Sequence, residues 1–179
     1  MRGNSAARDG LLAQAEAVGS FPFWLRDGAS LLDVYAHPYQ GLNFTADAVK
    51  YPKLYPAPPV GDASFFRLDT AHLPAVAYVP WLLTDDPYFL EGAQAQAIFA
   101  ATEANYHQLN QKLPGLASPS QKRSWGWGIR DIFRMALLAP ETPPSWLQPR
   151  SMFRQMAADN IAYIERHSVS QVKACKFFN

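Results

Sequence analysis

Apolar positions along this chain follow a helical period over five stretches and lose it over one long intervening stretch. Residues 5 to 18 place Leu11, Leu12, Ala15 and Val18 on one helical face, and Gly19 ends that run. From Phe21 to Gly61 no period survives, because Pro22, Gly28, Pro38, Gly41, Pro52, Pro56, Pro58 and Pro59 interrupt the chain. Helical spacing returns over 70–84, 86–110, 121–139 and 150–167. Of these, 121–139 is the best defined: Trp125, Ile129, Ile132, Phe133, Ala136 and Leu137 recur at the spacing of one buried helix face.

The punctuation supports these bounds. Asp69 or Thr70 is a cap for the 70–84 helix, with Pro74 in its first turn, and Pro80 is expected to kink it by removing a backbone donor. Asp86 followed by Pro87 is a strong restart signal. The 86–110 helix presents Phe89, Leu90, Ala93, Ala97, Ala100, Ala101 and Ala104, a small-residue stripe that permits close approach of a neighbour. Leu113 to Pro119 reads as a loop, and Pro140, Pro143 and Pro144 stop the third of these helices. The last one, 150–167, is expected to bury Phe153, Met156, Ala157, Ile161 and Ile164, and the tail from Ser168 has no period.

The predicted architecture is all-α: antiparallel helical hairpins over 69–110 and 121–167, preceded by a Pro-rich irregular segment over 19–68. A length of 179 residues suits one domain, or a fragment of a larger one. The two hairpins share an echo, since the run around Leu82 and Leu83 returns around Leu137 and Leu138, 55 residues on.

Composition narrows the functional classes. Sixteen basic against fifteen acidic residues give a charge of +1, so no global field draws the chain to nucleic acid. The longest apolar run, Leu73 to Leu83, carries two prolines and is about half of what a membrane helix needs, so no membrane span is expected. Leu11 to Val18 lacks the continuous apolar stretch of a signal peptide, and the chain reads as soluble with its compartment undetermined. Cys175 is the only cysteine, and His37, His72, His107 and His167 lack the spacing of a helical zinc motif, so neither metal nor other cofactor is expected. Phosphate-loop, dinucleotide and nucleophile-elbow motifs do not occur. Aromatic residues make up 13% of the chain, high for a helical protein, and rings held in ordered loops suit stacking on flat ligands or sugars as well as packing between helices.

The segment Leu68 to Glu91, with His72, Tyr78, Trp81 and the Thr84-Asp85-Asp86-Pro87 restart, followed by Trp125-Gly126-Trp127-Gly128-Ile129-Arg130-Asp131, resembles large bacterial proteins with α/α-toroid, or six-hairpin, domains. The resemblance covers about residues 20 to 167. It implies repeated hairpins in which short inner helices carry polar and aromatic residues toward a central cleft, often for work on polysaccharides. A closed toroid needs more hairpins than this chain holds, so a piece of a larger polypeptide, with self-association through uncovered helix faces, is the expectation.

Candidate chemistry concentrates in two places. His72 and Tyr78 lie on the first hairpin, where a helix start facing a cleft suits a general base or an anion contact. Arg123, Trp125, Trp127 and Arg130 fall within eight residues, rings offering faces to sugars and guanidinium matching a carboxylate. Helical spacing sets Trp127, Arg130 and Arg134 on a side distinct from the Trp125 stripe. An acidic polysaccharide would thus meet His72, Tyr78 and Arg130 as catalytic residues, with Trp125, Trp127, Arg123 and Asn105 binding substrate; a lyase or hydrolase follows. The carboxylates Asp69, Glu103 and Asp131 are the acid and base candidates for hydrolysis. The rival reading is a non-catalytic helical scaffold or interaction module, with the rings as core and Arg130 in a structural pair with an aspartate or stacked on a ring.

Overall fold

Asn4 starts the first helix by accepting the Ala7 N–H at 3.1 Å on its side-chain oxygen, and the helix α1 runs Ser5–Glu16 before tightening into a 3-10 turn, Ala17–Ser20. The computed structural model describes residues 4–21, 23–37, 70, 73–107, 114–117 and 122–170, with backbone alone for 103–107 and 167–170. Within them the chain is mostly helical, as expected: α1 is followed by α2 (Tyr78–Thr84), α3 (Pro87–His107), α4 (Lys122–Leu138) and α5 (Arg150–Ser170). A small antiparallel ribbon, β1 (Arg26–Asp27) with β2 (Ser30–Leu31), turns at Gly28, whose φ of 59° favours glycine.

α2 starts at Tyr78, not at 70, and Pro80 does not kink it. A helix through 76 would leave the Val76 carbonyl without the N–H that Pro80 lacks; starting at Tyr78 puts the proline in the first turn, where no intrahelical donor is needed. The carbonyls of Leu73 and Pro74 instead accept from the side chain of Gln96 on α3, at 3.5 and 3.0 Å. Thr70 does not cap a helix either: its hydroxyl pairs with that of Ser124 on α4. The restart matches the sequence, with Asp85 in the left-handed region at φ 56° closing α2 and the Asp86 carboxylate accepting the Tyr88 N–H at 2.9 Å.

From Gly92 to Thr102 α3 is buried on every side, and the side chain of Ala104 lies outside the described residues. Phe89, Leu90, Ala93, Ala97, Ala100 and Ala101 are covered as the stripe predicts, and so are Gln94, Ala95, Gln96, Ile98, Phe99 and Thr102. The helix lies among α2, α4 and the 3-10 turn, so a single inward face does not suffice. Close approach depends on glycine: a Cβ at Gly92 would sit 3.1 Å from Val18, and one at Gly128 of α4 would sit 3.2 Å from Ala100 and 2.9 Å from Ala117.

α4 and α5 share the most extensive helix pairing. The expected α4 stripe is buried at Ile132 and Ala136 and partly buried against the core at Trp125, Ile129 and Phe133, but Leu137 is 71% exposed, and Ser124, Gly128, Asp131 and Met135 are buried in addition. On α5, Met152, Phe153, Met156 and Ala157 are buried, and the next buried position is Asn160 in place of Ile161, which is 44% exposed. The Asn160 amide accepts the Ala117 N–H at 3.1 Å and donates to the Gly115 carbonyl at 2.9 Å, stapling the 114–117 loop to α5. The Leu-Leu echo has a structural counterpart, since Leu82, Leu83, Leu137 and Leu138 all sit exposed in the last turns of α2 and α4.

Candidate functional site

Asp131 is the centre around which the candidate residues gather. It lies on α4, 7% exposed, facing Gln96 of α3, whose amide donates to its carboxylate at 3.1 Å. Arg130 donates to the same carboxylate from Nε at 3.0 Å and from Nη2 at 3.3 Å, and Arg134 from Nη1 at 3.3 Å. A buried carboxylate needs such partners, because an unpaired charge out of water is costly. Burial nevertheless wins: desolvation raises the Asp131 carboxyl above its usual range, against the opposing pull of both arginines.

Each guanidinium also rests on a ring. Arg130 lies 5.5 Å from the centroid of Trp127, and Arg134 lies 4.0 Å from that of Tyr78, the first residue of α2. Two shallow depressions flank the carboxylate. One is lined by Tyr78, Gln96, Asp131 and Arg134, the other by Thr70, Leu73, Gln96, Trp127 and Asp131.

Of the residues singled out from sequence, Tyr78, Trp127 and Arg130 thus come together. Trp125 does not join them: its ring meets Tyr163 of α5 edge-on, 6.0 Å away at 87°, in a helix-packing contact. Arg123 is exposed in the first turn of α4, one helical turn before Trp127. Asn105 belongs to the last turn of α3, with its side chain outside the described residues, as are His72, Asp69 and the side chain of Glu103. Thr70 and Leu73, on either side of position 72, line the Trp127 depression.

Gln96 and the part played by Arg134 are what sequence reasoning missed. A signal exists for the glutamine: Gln94 and Gln96 interrupt an otherwise apolar run from Gly92 to Ala101, and a polar side chain inside a helix with no polar face must find buried partners. Among the described residues no group of three His, Cys, Asp or Glu side chains is placed to hold a metal ion, and no helix is long and apolar enough to cross a membrane. No protein family, no curated protein and no solved structure matches the chain.

Proposed function

We propose that the protein is a carbohydrate-associated helical module of the α/α-toroid kind that engages a carboxylate-bearing polysaccharide where α2 meets α4. The observation that supports this reading is the meeting of Tyr78 of α2 with Trp127, Arg130 and Arg134 of α4, the two arginines paired with one buried carboxylate and each set against a ring, beside two surface depressions. Rings supply apolar faces for sugar, and guanidinium supplies a planar partner for a uronate. Two guanidiniums against one carboxylate leave one net positive charge, so an anionic sugar completes the balance that the triad leaves open. In a lyase, Arg130 would neutralise the uronate carboxylate, easing loss of the neighbouring proton, with His72 and Tyr78 as base and acid.

The test is to incubate the protein with polygalacturonate and to follow both binding and unsaturated product, against a carboxyl-reduced polymer as control. Binding of the acidic polymer that Arg130→Ala removes, with helical circular dichroism unchanged, supports the reading; unsaturated product assigns the lyase chemistry as well. A second reading, a non-catalytic helical scaffold, is favoured by the fact that Arg130 already spends two nitrogens on its neighbour Asp131 and that Arg134 covers the Tyr78 ring, a contact that ties α4 to α2. On that reading no glycan binds, and Arg130→Ala lowers the melting temperature instead.

A further inference from the structure

Arg134 stands one helical turn after Arg130, on the same carboxylate and with a ring of its own, yet Asp131 does not need it as a donor. Gln96 and Arg130 already give Asp131 three donors at 3.0 to 3.3 Å, enough to satisfy both oxygens. The side chains of Arg130 and Arg134 remain 34% and 28% exposed, while that of Asp131 is 8% exposed. Of the five N–H donors on each guanidinium, only those on Nε and Nη2 of Arg130 and Nη1 of Arg134 face Asp131 among the described residues. The rings of Trp127 and Tyr78, 5.5 and 4.0 Å from the two guanidinium carbons, restrict both groups before any ligand arrives.

We infer that Arg130 and Arg134 form one two-pronged receptor for a single ligand carboxylate, with Asp131 as the positioning residue that aims both prongs and limits their net charge to one. This rests on the acidic-polysaccharide reading and adds to it the number of charges read and the residue that shares the reading. A neutral sugar leaves the spare charge unmet, and a group of two negative charges exceeds it. Tyr78 enters as the platform that keeps Arg134 flat, its ring already covered on the side facing the arginine.

Titration calorimetry of the intact protein with a galacturonic acid trimer, its carboxyl-reduced counterpart and inorganic sulfate tests this. The wild type is expected to bind the acidic trimer in preference to both controls. Arg130→Gln and Arg134→Gln should each weaken trimer binding by roughly tenfold, the loss of one charged hydrogen-bonding contact. Asp131→Asn, checked for retained helicity, should make the site doubly positive, favour sulfate and steepen the dependence of binding on salt. A merely structural Asp131 would lower the melting temperature without changing the preference between trimer and sulfate. If Arg134→Gln binds the trimer as the wild type does while Arg130→Gln fails, the two-pronged receptor is wrong and the acidic-polysaccharide reading stands. If the wild type binds no trimer, both fall.

Discussion

Gln94 of α3 and Gln148 of the connection before α5 hold each other as two neighbouring strands would: the Gln148 N–H donates to Gln94 Oε1 at 2.9 Å, and Gln94 Nε2 donates back to the Gln148 carbonyl at 3.0 Å. A fully buried side-chain amide thereby replaces a backbone edge. Through it the connection is tied to the core, and the Gln148 side chain in turn donates to the Leu31 carbonyl of β2. Gln94→Leu keeps the volume and strands a backbone donor and acceptor, so a loss of about 2–4 kcal/mol is expected. Urea denaturation of both proteins measures it; a change below about 0.5 kcal/mol, the scale of ordinary surface substitutions, would mean the connection is not held this way.

Gly128 is expected to resist alanine. In a helix interior the exchange normally gains about 1 kcal/mol from backbone entropy. Here the new Cβ would lie 2.9 Å from the Ala117 Cβ and 3.2 Å from that of Ala100. Overpacking of this kind costs about 1–3 kcal/mol, which cancels or outweighs the gain. Gly128→Ala should be neutral to destabilising in thermal melts, and adding Ala117→Gly should recover part of any loss; a clear stabilisation by Gly128→Ala alone would contradict the close α3–α4 approach.

Asp131 gives the protein a pH signature. Its folded carboxyl titrates above the ordinary 3.8, with burial as the leading cause, so the folded state holds this proton after the unfolded chain has released it. The contribution of the group is therefore most favourable below 3.8 and is lost as pH rises through the folded value. Relative to Asp131→Asn, the wild type should lose stability as pH rises from below 3.8 through the folded value, and level off above it. Chemical denaturation of the pair across this range decides it. A gap moving the other way would mean that Arg130 and Arg134 outweigh desolvation.

Tyr35 supplies the alkaline counterpart. Its hydroxyl donates to Asp159 of α5 at 2.6 Å and lies beside Gly115, whose φ of 86° and lack of a Cβ leave room for it. Burial, then the Asp159 hydrogen bond and charge, raise this phenol well above its ordinary 10.0. Stability from this contact is thus complete below pH 10.0 and drains away above it as the unfolded chain ionises first. Tyr35→Phe should be less stable than the wild type at neutral pH by about 1–3 kcal/mol, with the gap closing in alkali. Absorbance titration should also show one fewer tyrosine resisting ionisation; an unchanged count would place the resistant phenol elsewhere.

What the sequence determined by itself is what neighbours along the chain decide. Asp86 caps α3 because its carboxylate reaches an N–H two residues away, and Pro87 is harmless one position later. The Trp127, Arg130 and Arg134 side of α4 is likewise set by helical spacing, and the Arg130 stack and ion pair were legible as the ordinary fate of such an arginine. Tertiary structure decided where competing partners lay far apart in sequence. Residues 73–77 gave up a helix because Gln96 offered the Leu73 and Pro74 carbonyls a donor and Pro80 offered the Val76 carbonyl none. Asn160 displaced Ile161 from the buried face because the 114–117 loop presents an N–H and a carbonyl there that an apolar side chain would leave unsatisfied. Asp131 became the centre of the candidate site only because α3 lies against α4 closely enough for Gln96 to reach it, a proximity that the missing Cβ of Gly128 permits and that no periodicity encodes.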